Sequence, residues 1–206
     1  MNTDSAQAEK VLVLACGALA HEIQALKKLN GWTNLTLKCL DAALHNRPER
    51  IAAKLAEKIN TYRDQYDRII IGYGECGSGG EIDKLVSDEG LERLPGAHCY
   101  AFYAGLENFD RLSDQEPGTF YLTDYLAQHF ERLIIEGFKL NQHPELKPML
   151  FGNYQRVVYL SQKADQALIS EAKNAAAYLG LEFEHIHTGY GELQASLDSA
   201  LIVSAK

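Results

Sequence analysis

The chain has no cationic surplus, no long apolar run and no paired cysteine motif, and each absence removes a class of function. Lysine and arginine number 20 against 28 aspartates and glutamates, a formal net charge of -8. A nucleic-acid binder needs positive charge gathered on one face to displace phosphate counterions, so nucleic acid is not an expected partner. No stretch reaches the roughly 18 to 20 apolar residues of a membrane span. The opening MNTDSAQAEK has no basic segment followed by an apolar run, so neither a signal peptide nor a membrane partner is expected, and the protein is expected to be cytoplasmic. No low-complexity tract is present, and with 46% hydrophobic and 23% charged residues the composition is that of a folded globular protein. The four cysteines are not set in tight CxxC pairs, unlike those of zinc ribbons and ferredoxins. In a reducing compartment they are core residues, reactive thiols or metal ligands before they are disulfides.

What is present is a repeated alternation. KVLVLACG is an apolar run ending in a small-residue turn, and HEIQALKKLNG places Ile23, Leu26 and Leu29 at helical spacing before Gly31. LTLKCLD reads as a second strand. A helix then opens in ALHNRPERIAAKLAEKIN, with Asn46 as N-cap, Pro48 in the first turn and Ile51, Leu55 and Ile59 on one face. RIIIGYG is a third strand, and a fourth is expected to end near Ala97 before a helix from Tyr100. A second half begins near EPGTFYLT. Its parts are the amphipathic helix DYLAQHFERLIIEGF, the loop LNQHPELKPMLFGN, the strand RVVYLSQ, the helix ALISEAKNAAAYLG, the strand LEFEHIHT and the helix GELQASLDSALI. The expectation is an α/β protein, a mainly parallel sheet flanked by helices in Rossmann-like layers. A disordered tail over 1–9 would precede a single domain over 10–206. The echo of Val11 to Asn46 in Val157 to Leu197 raises two pseudo-equivalent lobes divided near 113–118.

In such a sheet the loops after the strands share one edge, where ligands bind at the reversal of strand order. Cys16 follows the first strand, His45 and Asn46 the second, Cys76 the third and Cys99 the expected fourth. Glycines crowd these turns at Gly17, Gly74, Gly77, Gly79, Gly80 and Gly96. They allow close backbone approach to a bound group, which makes Gly17, Gly74, Gly77 and Gly79 candidate cofactor contacts. GYGECGSGG matches neither the dinucleotide fingerprint nor the P-loop, and Glu75 and Glu81 would repel phosphate. Cys39, flanked by alternating apolar residues, reads as a core residue. His185 and His187 share one strand face, as metal ligands can, but such pairs are more often half-exposed strand residues.

The set ACG at 15–17, LHNRP at 44–48, YGECG at 73–77, the cysteine after the proline turn at 99 and PGTFYLT at 117–123 resembles the domain of unknown function 1638 family of bacteria and archaea. The resemblance implies Cys16, Cys76 and Cys99 as the motif cysteines. It also implies, through genes often found near corrinoid-dependent methyltransferases, a link to one-carbon methyl metabolism. A corrinoid protein or methyltransferase would then be the partner.

Three thiolates gathered from separate strand ends suit a metal centre facing a small-molecule substrate. Zinc takes Cys3His or keeps an open position, and a [4Fe–4S] cluster held by three cysteines leaves one iron open. The expected function is a zinc or iron–sulfur α/β protein acting on a small molecule, a metal-dependent transferase with His45 and Glu75 moving protons. Two alternatives stay open: a non-catalytic carrier of a metal, cluster or corrinoid, and a metal-free thiol redox protein.

Overall fold

The computed structural model of the chain describes residues 9–202. Two compact units result, Met1–Pro95 with Leu197–Lys206 and Gly96–Ser196. The tail expected over 1–9 lies outside the described residues except for Glu9, whose carbonyl accepts from the Asn34 side-chain amide at 2.9 Å. The boundary after Pro95 comes earlier than the division expected near 113–118.

The first unit alternates β1 (Val11–Cys16), α1 (Ala20–Asn30), β2 (Leu35–Leu40), α2 (Ile51–Tyr62), β3 (Arg68–Gly72), α3 (Glu81–Asp88) and β4 (Glu92–Arg93). The strands are parallel in the order β2-β1-β3-β4. All six residues of β1 are buried, so both faces of this strand are covered. Right-handed crossovers explain how: the step from β1 to β2 runs one way and the step from β2 back to β3 the other, which sends α1 and α2 to opposite faces. This is a doubly wound, Rossmann-like α/β sheet, as the alternation of elements predicts. Gly31 ends α1 in the left-handed conformation at φ 64°, its N–H bonding the Lys27 carbonyl.

Two local expectations are corrected. Asn46 does not cap α2: it ends a 3-10 turn over Ala42–Asn46 that Asp41 caps by accepting from the Ala43 N–H. Pro48, lacking an N–H, then starts a second turn over Pro48–Arg50, and α2 begins only at Ile51. Cys39 is exposed rather than core. It lies on β2, an edge strand, where one side of an alternating pattern need not meet a covering layer.

The second unit contains α4 (Tyr100–Ala104), α5 (Leu106–Gln115), β5 (Thr119–Leu122), α6 (Asp124–Gln128), a π-helical turn (Glu131–Glu136), α7 (Leu146–Phe151), β6 (Arg156–Ser161), α8 (Gln166–Leu179), β7 (Glu182–His187) and the start of α9 (Leu193–Ile202). Its parallel sheet runs β5-β6-β7. Phe120 meets Phe151 and Tyr154 on one face, while Tyr121 meets Tyr100 and Phe109 on the other. The helix expected from Asp124 breaks after Gln128 into the π-helical turn, yet Leu126, Phe130, Leu133 and Ile134 are all buried as its apolar side requires. Both units are built from βαβ steps, but only the first reverses its strand order. Among the described residues no helix is long and apolar enough to cross a membrane.

Candidate functional site

The reversal in the first unit lies between β1 and β3, where Cys16 ends β1 and the loop that leaves β3 carries Cys76. Register sets their level. Ala15 pairs with Gly72, so Cys16 and Tyr73 are the next step along. Gly72 allows this closeness, because a Cβ there would lie 2.8 Å from that of Ala15. Tyr73 is buried, and its hydroxyl favours the thiolate form of the neighbouring Cys16.

Burial is the largest influence on that thiol and pushes its pKa up to about 11. The Ala18 N–H and the Tyr73 hydroxyl favour the thiolate, while the neighbouring thiols of Cys76 and, more weakly, Cys39 disfavour a second charge beside it. Reactive cysteines have depressed pKa values, so Cys16 is a poor nucleophile as a bare thiol.

Cys76 is half-buried and holds φ at 53°, a left-handed backbone that a side chain adopts at a cost of about 1–2 kcal/mol. Gly77, Gly79 and Gly80 continue in positive φ at 77°, 69° and 86°. Such a run turns its N–H groups inward into an anion-binding nest. The occupant is the loop's own Glu75. Its carboxylate accepts from the Gly77 N–H at 2.8 Å, the Ser78 hydroxyl at 2.7 Å and the Gly80 N–H at 2.9 Å. The buried Ser78 in turn accepts from the Ile82 N–H at 3.3 Å in the first turn of α3. A phosphate has no place in this nest, and Glu75, expected to move protons, is placed as the anchor that holds Cys76 in its strained turn. Glu75→Gln presents an NH2 group to donors, and is expected to lower stability by about 1–2 kcal/mol, read as an earlier urea midpoint. An unchanged midpoint would mean that the loop is held by other contacts.

The remaining predicted residues divide by unit. Gly17 serves close approach: a Cβ there would sit 2.9 Å from the Leu40 carbonyl oxygen and 3.2 Å from the Ala42 nitrogen, so the turn after β1 abuts the end of β2. His45 is half-buried in the 3-10 turn that follows. A Cβ on Gly77 would lie 3.8 Å from the Pro48 ring, which brings the LHNRP segment beside the Cys76 loop. Gly74 is buried and Gly79 exposed in the same loop. Cys99 is placed differently from the expectation. β4 ends at Arg93, not near Ala97, and Cys99 is a buried residue at the start of α4 in the second unit. No strand-end rule therefore brings it to Cys16 and Cys76. Among the described residues, no group of three or more His, Cys, Asp or Glu side chains is placed to hold a metal ion. Sequence reasoning missed Glu22, a carboxylate 4% exposed in the first turn of α1, just past the Cys16 turn. Its signal was its place beside Ile23 and before Leu26 on the buried stripe.

Residues 39–197 match the family described as "Protein of unknown function (DUF1638)", a span that contains Cys76 and Cys99 but not Cys16. No curated protein matches. Among solved structures the chain is similar to ornithine carbamoyltransferase from Pyrococcus furiosus, at 13% identity and a TM-score of 0.26 over 87% of this chain. It spans about half of that protein, 54% of its length.

Proposed function

The chain belongs to the DUF1638 family of proteins of unknown function, and from that premise we propose that its first unit is a thiolate metal site acting on a small molecule. Cys16 and Cys76 are its ligands, and zinc or an iron–sulfur cluster is the group held. The observation that carries this reading is the pairing of two thiols at the reversal of strand order, one of them so buried that it stays protonated unless a cation joins it. Metal ligation deprotonates a thiol outright, so the burial that disables Cys16 as a nucleophile suits it as a ligand. The donors fit: sulfur selects zinc and iron–sulfur clusters, and polar groups beside the sulfur, the Ala18 N–H and the Tyr73 hydroxyl, favour the thiolate, as groups that tune such sites do.

When bound, zinc would supply Lewis-acid activation of a substrate thiol, and a cluster would supply an open iron. Glu75 holds the Cys76 loop in place. The finer reading is methyl transfer to a thiol substrate from a corrinoid protein or another methylated partner. The bond from the methyl carbon to its donor breaks, its electron pair staying with the donor, a carbon–sulfur bond forms, and the thiol's proton passes to His45. Support for this finer reading comes from the gene neighbourhood that the family resemblance implies.

Elemental analysis and visible absorption of anaerobically purified protein test the site. Wild-type protein is expected to carry about one metal ion or cluster per chain, and Cys16→Ser and Cys76→Ser to lose it. Cys99, expected from the sequence as a third ligand, is tested in the same way by the metal content of Cys99→Ser. Wild-type protein holding neither zinc nor iron under conditions that preserve both, or variants keeping the wild-type content, would overturn the reading.

A further inference from the structure

His185 and His187 alternate along β7 and project from the same face. Across the ladder to β6 they pair with Tyr159 and Ser161. The Ser161 Oγ lies 2.9 Å from His185 Nε2 and 3.0 Å from His187 Nδ1. A hydroxyl has one proton, so it can donate to only one ring and must accept from the other. Two imidazole nitrogens thus converge on a single point. The rings are held there: His185 stacks on Tyr159 with centroids 5.2 Å apart and planes 19° apart, and Tyr159 is fixed by its hydroxyl donating to Asp124 at 2.7 Å. The Ser161 carbonyl accepts from the Thr188 hydroxyl at 3.2 Å.

Exposure decides what this cluster can do. Ser161 is wholly buried, while both histidines are exposed. A buried hydroxyl cannot meet an external electrophile, so a serine nucleophile with histidine bases does not fit. Exposed histidine side chains whose ring nitrogens converge can take a solvated cation. We propose that His185 and His187 form a two-imidazole site for a divalent transition-metal ion of the zinc, nickel or copper class, with solvent supplying the remaining ligands. Imidazole binds these ions at about 2.1 Å, and nitrogens that already lie 3.0 Å or less from one atom reach that distance by small side-chain rotations. Among the described residues neither ring's second nitrogen has a hydrogen-bonding partner. An outer partner typically strengthens a metal site by about 10–100-fold, so this site is exchangeable rather than structural.

Nickel ion alone is the probe, titrated into full-length protein in which Cys16, Cys76 and Cys99 are serine, so the thiol site cannot contribute. About one equivalent is expected to bind, and His185→Ala and His187→Ala are each expected to weaken binding by about tenfold or more. A second measurement does not depend on the triple variant folding. In the wild-type chain, substoichiometric nickel is expected to broaden the imidazole resonances of His185 and His187 before those of His21, His98, His129 and His143, His45 being left out because its LHNRP segment lies beside the Cys76 loop of the thiol site. Nickel binding that survives both alanine substitutions, or broadening that begins at His21, His98, His129 or His143, overturns the proposal. Loss of the thiol site leaves both results unchanged, so the two readings fail separately.

Discussion

Asp124→Ala is expected to destabilise the second unit by about 4 kcal/mol, more than any other single polar substitution in it. Asp124 is 4% exposed and stands where β5 ends. One carboxylate oxygen accepts from the Tyr159 hydroxyl at 2.7 Å and the Gln162 N–H at 3.0 Å, and the other from the Lys163 N–H at 3.0 Å. Its own N–H donates to the Gln162 side chain at 2.9 Å, which ties the end of β5 to the end of β6 from both directions. Alanine leaves three buried or half-buried donors unpaired, at about 1–3 kcal/mol each before water relieves some of the loss. Asp124→Asn keeps the shape but turns an NH2 group toward donors, and is expected to cost about half as much. Tyr159→Phe removes a donor and leaves the carboxylate its two backbone partners, so about 1 kcal/mol is expected. Urea midpoints of the three variants check the order. An alanine variant within about 1 kcal/mol of wild type would show that the network adds little beyond what water supplies.

The same network predicts an alkaline limit. The Tyr159 hydroxyl is pushed above the ordinary tyrosine range by burial first and by Asp124 second. A group raised in the folded state contributes stability that is complete below its unfolded value, about 10 for tyrosine, and is lost as pH climbs toward the folded value. Stability of wild-type protein is therefore expected to fall above about pH 10 more steeply than that of Tyr159→Phe.

Where the fold was legible in the sequence, local patterning and the covering layer agreed. The run VLVLAC is buried on both faces because β1 is central, and Ile51, Leu55 and Ile59 line one side of α2 as their spacing requires. Cys39 shows the limit. Its flanks look like those of a core strand residue, but whether a strand is central or at an edge is decided by partners far along the chain. Cys99 fails for a related reason: the strand expected before it shrinks to Glu92–Arg93, and a unit boundary falls at Gly96. The proline and glycine that break the apolar run there mark a join between units rather than a strand-end turn. Cys16 and Cys76 were legible because order reversal next to β1 needs only the sequence of elements. The role of Glu75 was not, since a carboxylate in a glycine-rich turn can repel an external anion or replace it, and only the left-handed geometry at Cys76 to Gly80 selects replacement. The histidine pair was legible as a shared face, but its convergence on Ser161 depends on the β6–β7 register.

Metal affinity at the proposed thiol site is expected to rise steeply with pH, by about tenfold per unit from Cys16 alone. The sign follows from what each state binds. The free site keeps the Cys16 proton at every pH below about 11, whereas the metal-bound site has released it. Each unit of rising pH then lowers the cost of removing that proton by about 1.4 kcal/mol, and the gain continues through the whole range in which an ordinary cysteine, with a pKa of about 8.5, would already have levelled off. A competition titration against a chelator of known affinity, corrected for the chelator's own protonation, measures the slope between pH 7 and about pH 10. Tyr73→Phe removes a hydroxyl that favours the thiolate, so it is expected to weaken binding at fixed pH while leaving the slope intact. Cys16→Ser removes the ligand and the slope together. Affinity that levels off near the ordinary thiol range in wild type would mean that Cys16 is not the group releasing the proton, and the metal would then have to be held without it.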